Sequence, residues 1–177
     1  CNYCNMTNYG ATTTTDEILQ GQILTGRHFM VTGASSGLGE ETSRALSSVG
    51  ATITMVSRNK EKLEAARERI KETIPSADLH IGIVDLSDLA SIRAYASDFL
   101  ATQKQIDVLI NNAGIMACPF SKTKDGFEMQ FGTNHVGHFL LTNLLMPAIL
   151  DGDKPRIINL SSAGHTHSDV DLEDPNF

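Results

Sequence analysis

The sequence predicts an α/β fold, a doubly wound, mostly parallel sheet with helices on both faces. Three observations predict it. Short apolar runs alternate with amphipathic stretches at regular intervals along most of the 177 residues. The runs show little polar alternation, so each strand is expected to be covered on both faces, as in parallel sheets. The first run, His28-Phe29-Met30-Val31, passes through Thr32-Gly33-Ala34-Ser35-Ser36-Gly37-Leu38-Gly39 into an amphipathic stretch. A strand, glycine turn and helix in that order present backbone N–H groups to an anion.

Residues 1–14 are polar and threonine-rich and are expected to form a flexible segment, with one domain over 15–177. Thr15 is expected to cap a short helix that begins with Asp16 and Glu17. A strand follows over 28–32. Leu38, Thr42, Ala45, Leu46 and Val49 then recur at helical spacing until Gly50. The second strand is expected over 52–56. The second long helix is expected over 60–73, with Leu63, Ala66 and Ile70 on one face and Pro75 as its stop. A third strand over 79–84 and a helix over 88–102 come next, with Leu89, Ile92, Ala96 and Phe99 turned inward. The fourth strand is expected over 108–110, one long helix over 126–150, and the fifth strand over 156–160.

Composition narrows the function. A net charge of −7 without a Lys/Arg cluster argues against a nucleic-acid surface. The longest apolar stretch, Phe139 to Leu150, is interrupted by Thr142, Asn143 and Pro147, so no membrane span is expected. No charged region followed by an apolar core opens the sequence, so no secretory signal is expected. Cys1, Cys4 and Cys118 form no disulfide framework, and a reducing, cytoplasmic location is expected. Cys1-x-x-Cys4 lacks a second pair and His165-x-His167 lacks a third ligand, so no metal site is expected.

In a doubly wound sheet the ligand lies at the carboxyl ends of the strands. Gly33 permits the tight turn there, Gly37 lets a pyrophosphate approach the backbone, and Gly39 lets the helix pack closely on the strand. No Gly-Lys-Ser/Thr follows, so this is not a P-loop. Ser57-Arg58 follows the second strand, Asp85-Leu86 the third, Asn111-Asn112-Ala113-Gly114 the fourth and Ser161-Ser162 the fifth. Asn134 breaks the apolar pattern of the long helix. A carboxylate at Arg58 would bind a ribose 2′-hydroxyl, whereas an arginine there binds a 2′-phosphate, which favours NADP over NAD. The plainer alternative is that Arg58 only begins a charged helix. Asp85 has an alternative as a turn residue, and Asn112 as a tie between strand ends.

Taken together these motifs resemble the short-chain dehydrogenase/reductase family. The stretch from Asn134 to Thr142, and that from Asp169 to Phe177, resemble its retinol dehydrogenase, WW-domain oxidoreductase and protochlorophyllide reductase-like branch. The resemblance implies a Rossmann domain that holds NADP, with NAD the less expected cofactor. Its contacts would be Gly33, Ser35, Ser36, Gly37, Leu38, Gly39, Arg58, Asp85, Leu86, Asn112, Ala113 and Gly114. It implies a small-molecule alcohol or carbonyl substrate and a homo-oligomeric full-length form. It assigns Asn134 to a proton relay through a water, and Ser162 to a hydrogen bond with the substrate oxygen. The family's chemistry also needs a tyrosine, and a lysine four residues later, beyond the fifth strand. The tyrosines here are Tyr3, Tyr9 and Tyr95, and the last lysine is Lys154. The expectation is therefore a cofactor-binding portion, truncated before that motif, with its sheet incomplete on the C-terminal side and its fifth strand poorly covered. The alternative is a non-catalytic NADP-binding or interaction module.

Overall fold

In a computed structural model of the chain, residues 9–102, 104–166 and 173–174 are described. Cys1, Cys4, Tyr3, His167 and most of the stretch from Asp169 to Phe177 lie outside them, as does the start of the N-terminal segment.

A short helix α1 (Thr15–Leu19) precedes β1 (His28–Thr32) and α2 (Gly37–Ser48). Then come β2 (Thr52–Ser57), α3 (Lys60–Thr73), β3 (Asp78–Ile83), α4 (Leu89–Ala101) and β4 (Val108–Asn111). A single turn, α5 (Met129–Phe131), runs through a π-helical segment (Gly132–Gly137) into α6 (His138–Leu150). Strand β5 (Arg156–Asn159) and a 3₁₀ turn (Ala163–Thr166) complete the described elements. The five strands are all parallel, in the order β3-β2-β1-β4-β5. This is a doubly wound α/β sheet.

The alternation of side chains along β1 splits the core in two. Phe29 and Val31 join Ile53, Met55 and the α3 residues Leu63, Ala66 and Ile70 in one apolar cluster. Met30 faces the other way and joins Ile92, Ala96 and Phe99 of α4 with Leu141, Leu145 and Ile149 of α6. With β1 at the centre and helices on both faces, all five β1 residues are buried.

Three expectations need correction. The cap of α1 is Thr14, whose side chain accepts from Glu17 N–H while the Glu17 carboxylate accepts from Thr14 N–H at 2.7 Å. Thr15 instead donates its hydroxyl to Glu41 Oε1 at 2.5 Å. The long helix does not begin at 126. Gly126 takes φ 89° in a turn closed by its N–H on the Thr123 carbonyl, and the Glu128 carboxylate then caps Gln130 and Phe131. The helical stretch widens to π geometry around Asn134, the residue that breaks its apolar pattern and at which the resemblance implies a local opening. Coverage on both faces holds for β1, β2 and β4 but not for β5, which pairs only with β4 and leaves Ile157 38% and Ile158 46% exposed. Exposure of this edge strand matches the expectation of a poorly covered fifth strand.

Candidate functional site

The carboxyl ends of β1, β2, β3 and β4 converge on an open cleft of about 550 Å³. Gly33, Ser35, Ser36, Leu38 and Gly39 line it from the glycine turn. Arg58 lines it after β2, Asp85 and Leu86 after β3, and Asn112, Ala113 and Gly114 after β4. Of the cofactor residues expected from the sequence, only Gly37 is not on this wall. It lies toward the outer surface with Glu40, Glu41 and Arg44.

Three glycines make the turn possible. Gly33 has φ 70°, and a Cβ there would sit 2.8 Å from Ala113 Cα. A Cβ on Gly39 would overlap the Gly33 carbonyl oxygen and lie 2.6 Å from Asn112 Nδ2. Gly37 has φ 58°, and its Cβ would meet open space, so the backbone conformation is what requires glycine there. The helix that follows begins without a side-chain cap, because Ser36 makes no cap hydrogen bond. Thr14, Asn59 and Asp88 each cap α1, α3 and α4 with a side-chain oxygen. The first turn of α2 thus borders the cleft through Ser36, Leu38 and Gly39 with no side-chain cap on its N–H groups.

The mouth of the cleft is cationic. Arg58 and Lys62 both line it, with Asn59 between them. Among the described residues neither is in an ion pair, whereas Lys60 on the same turn pairs with Glu64 at 3.9 Å. Asp85 is half-buried, and its Oδ1 accepts from Ser87 N–H at 2.9 Å and from the Ser87 hydroxyl at 2.6 Å. It thus performs the turn role. Asn112 likewise ties strand ends, donating from Nδ2 to the Thr32 carbonyl at 2.8 Å.

The two expected catalytic residues are not gathered with this set. Asn134 is exposed and grips the Ile115 backbone, accepting its N–H at 2.9 Å and donating to its carbonyl at 2.8 Å. It borders Gly114 without lining the cleft. Ser162 is exposed beyond β5, where its hydroxyl accepts from Gly164 N–H at 3.1 Å. Tyr95 faces the core, its hydroxyl 3.9 Å from Met30 Sδ, and burial pushes its phenol well above the ordinary range. It supplies no proton to the cleft.

The model of the short chain dehydrogenase family matches residues 27–170. The chain belongs to that family. Retinol dehydrogenase 11 of Mus musculus is 47% identical over 142 residues, covering 80% of this chain and 45% of the mouse protein. The chain thus spans less than half of that relative's length. Among solved structures, an uncharacterized protein from Mycobacterium paratuberculosis is 39% identical with a TM-score of 0.75, covering 93% of this chain and 55% of its own. A metagenomic short-chain oxidoreductase in complex with NADP is 32% identical with a TM-score of 0.67, covering 78% of this chain and 63% of its own.

Sequence reasoning missed Lys62 and His138. The signal for Lys62 was a cation in the first turn of a helix, where the dipole disfavours it. The signal for His138 was a titratable side chain on the buried stripe shared with Leu141, Leu145, Ala148 and Ile149.

Proposed function

We propose that this chain is the nucleotide-binding part of an NADP-dependent oxidoreductase that moves hydride between nicotinamide and an alcohol or carbonyl substrate. The cleft that joins the glycine turn, the open α2 N-terminus and the Arg58–Lys62 pair carries the reading. The residues fit the cofactor. The uncapped α2 terminus and the Cβ-free turn suit a pyrophosphate. Arg58 and Lys62 suit a 2′-phosphate, and the residues after β2 that line the cleft, Arg58, Asn59 and Lys62, include no carboxylate to repel it. Ala113 and Gly114 leave room for a ribose against the β4 end. When bound, the nicotinamide supplies or accepts the hydride. Asp85 is the residue proposed to meet the adenine, with Leu86 beside it.

The fold class and the named relatives support a small alcohol or carbonyl as the substrate, and the mouse relative is named for retinol. Ser162 is proposed to hydrogen-bond the substrate oxygen and Asn134 to hold a relay water. No tyrosine follows Ser162 among the 177 residues. General acid–base transfer contributes roughly 10²–10⁴-fold to such rates. The polypeptide of these residues is therefore expected to bind NADPH without measurable carbonyl reduction.

The test is calorimetric titration of the purified chain with NADP⁺ and NAD⁺. NADP⁺ is expected to bind more tightly, and Arg58→Ala to lower NADP⁺ affinity about tenfold while sparing NAD⁺, the size of one charge-assisted hydrogen bond. Equal affinities in the unaltered chain, or an unchanged ratio in Arg58→Ala, would remove the NADP assignment. Turnover of NADPH by the chain would remove the claim that it binds without catalysis.

A further inference from the structure

We propose that His138, as a neutral ring protonated on Nδ1, is the positioning residue that fixes the 112–115 wall of the cleft. This inference rests on the nucleotide-binding reading.

The assignment follows from counting donors and acceptors. His138 is 6% exposed at the start of α6. Its Nδ1 lies 2.8 Å from the Asn134 carbonyl oxygen, which only accepts, so Nδ1 carries the hydrogen. The neutral ring then leaves a lone pair on Nε2, 2.9 Å from Thr32 Oγ1. The Thr32 hydroxyl must donate to it. Having donated, that oxygen accepts from the backbone N–H of Asn112 at 2.9 Å and of Ala113 at 3.0 Å. The alternative acceptor for the hydroxyl, the Ile110 carbonyl, is farther away at 3.4 Å. Every hydrogen in the chain from residue 112 to residue 134 thus points the same way.

The two residues that His138 joins each hold one end of the same wall. Thr32 holds Asn112 and Ala113. Asn134 holds Ile115 by both its N–H and its carbonyl. Between them Ala113 packs so closely on Gly33 that no Cβ fits. The wall has no slack against the phosphate turn, so its register depends on both holders. His138 hydrogen-bonds both of them. On the nucleotide-binding reading, residues 112–115 would meet the part of the nucleotide that NADP and NAD share. Loss of the ring should therefore weaken the two alike, unlike loss of Arg58.

Two measurements test this. In a long-range proton–nitrogen correlation spectrum of the ¹⁵N-labelled chain at neutral pH, His138 is expected to show hydrogen on Nδ1 and none on Nε2. Hydrogen on Nε2 overturns the assignment. In titrations, His138→Phe is expected to weaken NADP⁺ and NAD⁺ equally, by about tenfold for two lost hydrogen bonds. His138→Gln, whose amide oxygen reaches the Thr32 hydroxyl, is expected to recover most of the loss. Should His138→Phe not fold, Thr32→Val breaks the same chain from the other end. It is expected to weaken both nucleotides to the same extent. Equal losses in His138→Phe and His138→Gln, or a Thr32→Val loss that differs between NADP⁺ and NAD⁺, overturn the positioning role. An unaltered chain that binds neither nucleotide overturns the nucleotide reading itself and the positioning role with it, while the spectrum still reports the ring's tautomer.

Discussion

Strand β1 ends in a buried histidine contact at both ends, and the two ends differ in what the histidine holds. At the amino end, His28 itself is 8% exposed, with Nδ1 2.6 Å from the Gln105 carbonyl and Nε2 2.8 Å from the Thr54 hydroxyl. The carbonyl again forces the hydrogen onto Nδ1, so Nε2 accepts from Thr54. Beside it Asp107, fully buried, accepts the N–H of His28 at 2.7 Å and of Asp153 at 2.6 Å. The Asp107 backbone bonds the His28 carbonyl and the Arg156 N–H, each at 2.9 Å. Apart from the Thr54 contact, which reaches β2, these bonds tie β1 to the segments that lead into β4 and β5. At the carboxyl end the same device, Thr32 on His138, holds a wall whose other face is open. There the α2 terminus lacks a side-chain cap, and Arg58 and Lys62 have no ion-pair partner among the described residues. One end of the sheet turns nearly all of its polar groups on one another and serves stability, with Arg27 Nε, 3.6 Å from Asp107 Oδ2, making an ion pair but no hydrogen bond. The other leaves donors and cations for a ligand.

The largest expected effect breaks the amino end. Asp107→Ala leaves the His28 N–H and the Asp153 N–H without their acceptor. A buried donor without a partner costs about 1–3 kcal/mol, so the expected loss is roughly 3 kcal/mol in denaturant unfolding. Nucleotide affinity measured well below the unfolding midpoint is expected to stay within about twofold, because the cleft lies at the opposite end of the strands. A large affinity loss in this variant would mean that the two ends are not separable.

Gly39→Ala applies the converse perturbation. Its Cβ would press on the Gly33 carbonyl and the Asn112 amide, both parts of the cleft, and on backbone that cannot rotate away. Nucleotide affinity is expected to fall by more than about tenfold, since the phosphate turn must shift away from the helix terminus that would bind the anion. Calorimetric titration checks this. Wild-type affinity in Gly39→Ala would show that the turn has slack the glycine contacts deny.

How much of this was legible depended on the kind of signal. Strands β1, β2 and β4 were readable to within a residue because Met30, Ile53 and Leu109 sit in runs that only a covered parallel strand tolerates. The cofactor wall was readable because its residues follow those strands in sequence order. The π-helical segment was readable only through Asn134 and the resemblance, since its widening leaves no hydrophobic period. The start of the long helix was misread at Gly126, where a positive φ outweighed the apolar pattern that follows. Lys62 and His138 were hidden because each sits in a regular helix, and only the three-dimensional meeting with Arg58 or with Thr32 gives it a role.

The smallest expected effect sharpens the comparison through pH. Burial, the dominant cause, holds both His28 and His138 below the ordinary imidazole value near 6.5. In the unfolded chain each regains that value. Between the folded and unfolded pKa the unfolded chain binds more protons, so folding is penalised there. Stability is thus full above pH 6.5 and declines as pH falls through it, until each folded ring itself titrates. In unfolding experiments from pH 7.5 to 5, His28→Gln and His138→Gln are each expected to flatten part of this slope. Nucleotide affinity should separate them. A proton on His138 Nε2 would face Thr32 Oγ1, whose lone pairs already serve Asn112 and Ala113, so affinity is expected to drop with acid in the unaltered chain and in His28→Gln. In His138→Gln, which has no ring at that position, the drop in NAD⁺ affinity should vanish; NAD⁺ is the probe because the 2′-phosphate of NADP⁺ itself titrates at about pH 6. An acid drop that disappears in His28→Gln instead would place the sensitivity at the closed end of the sheet, contrary to the division between the two ends.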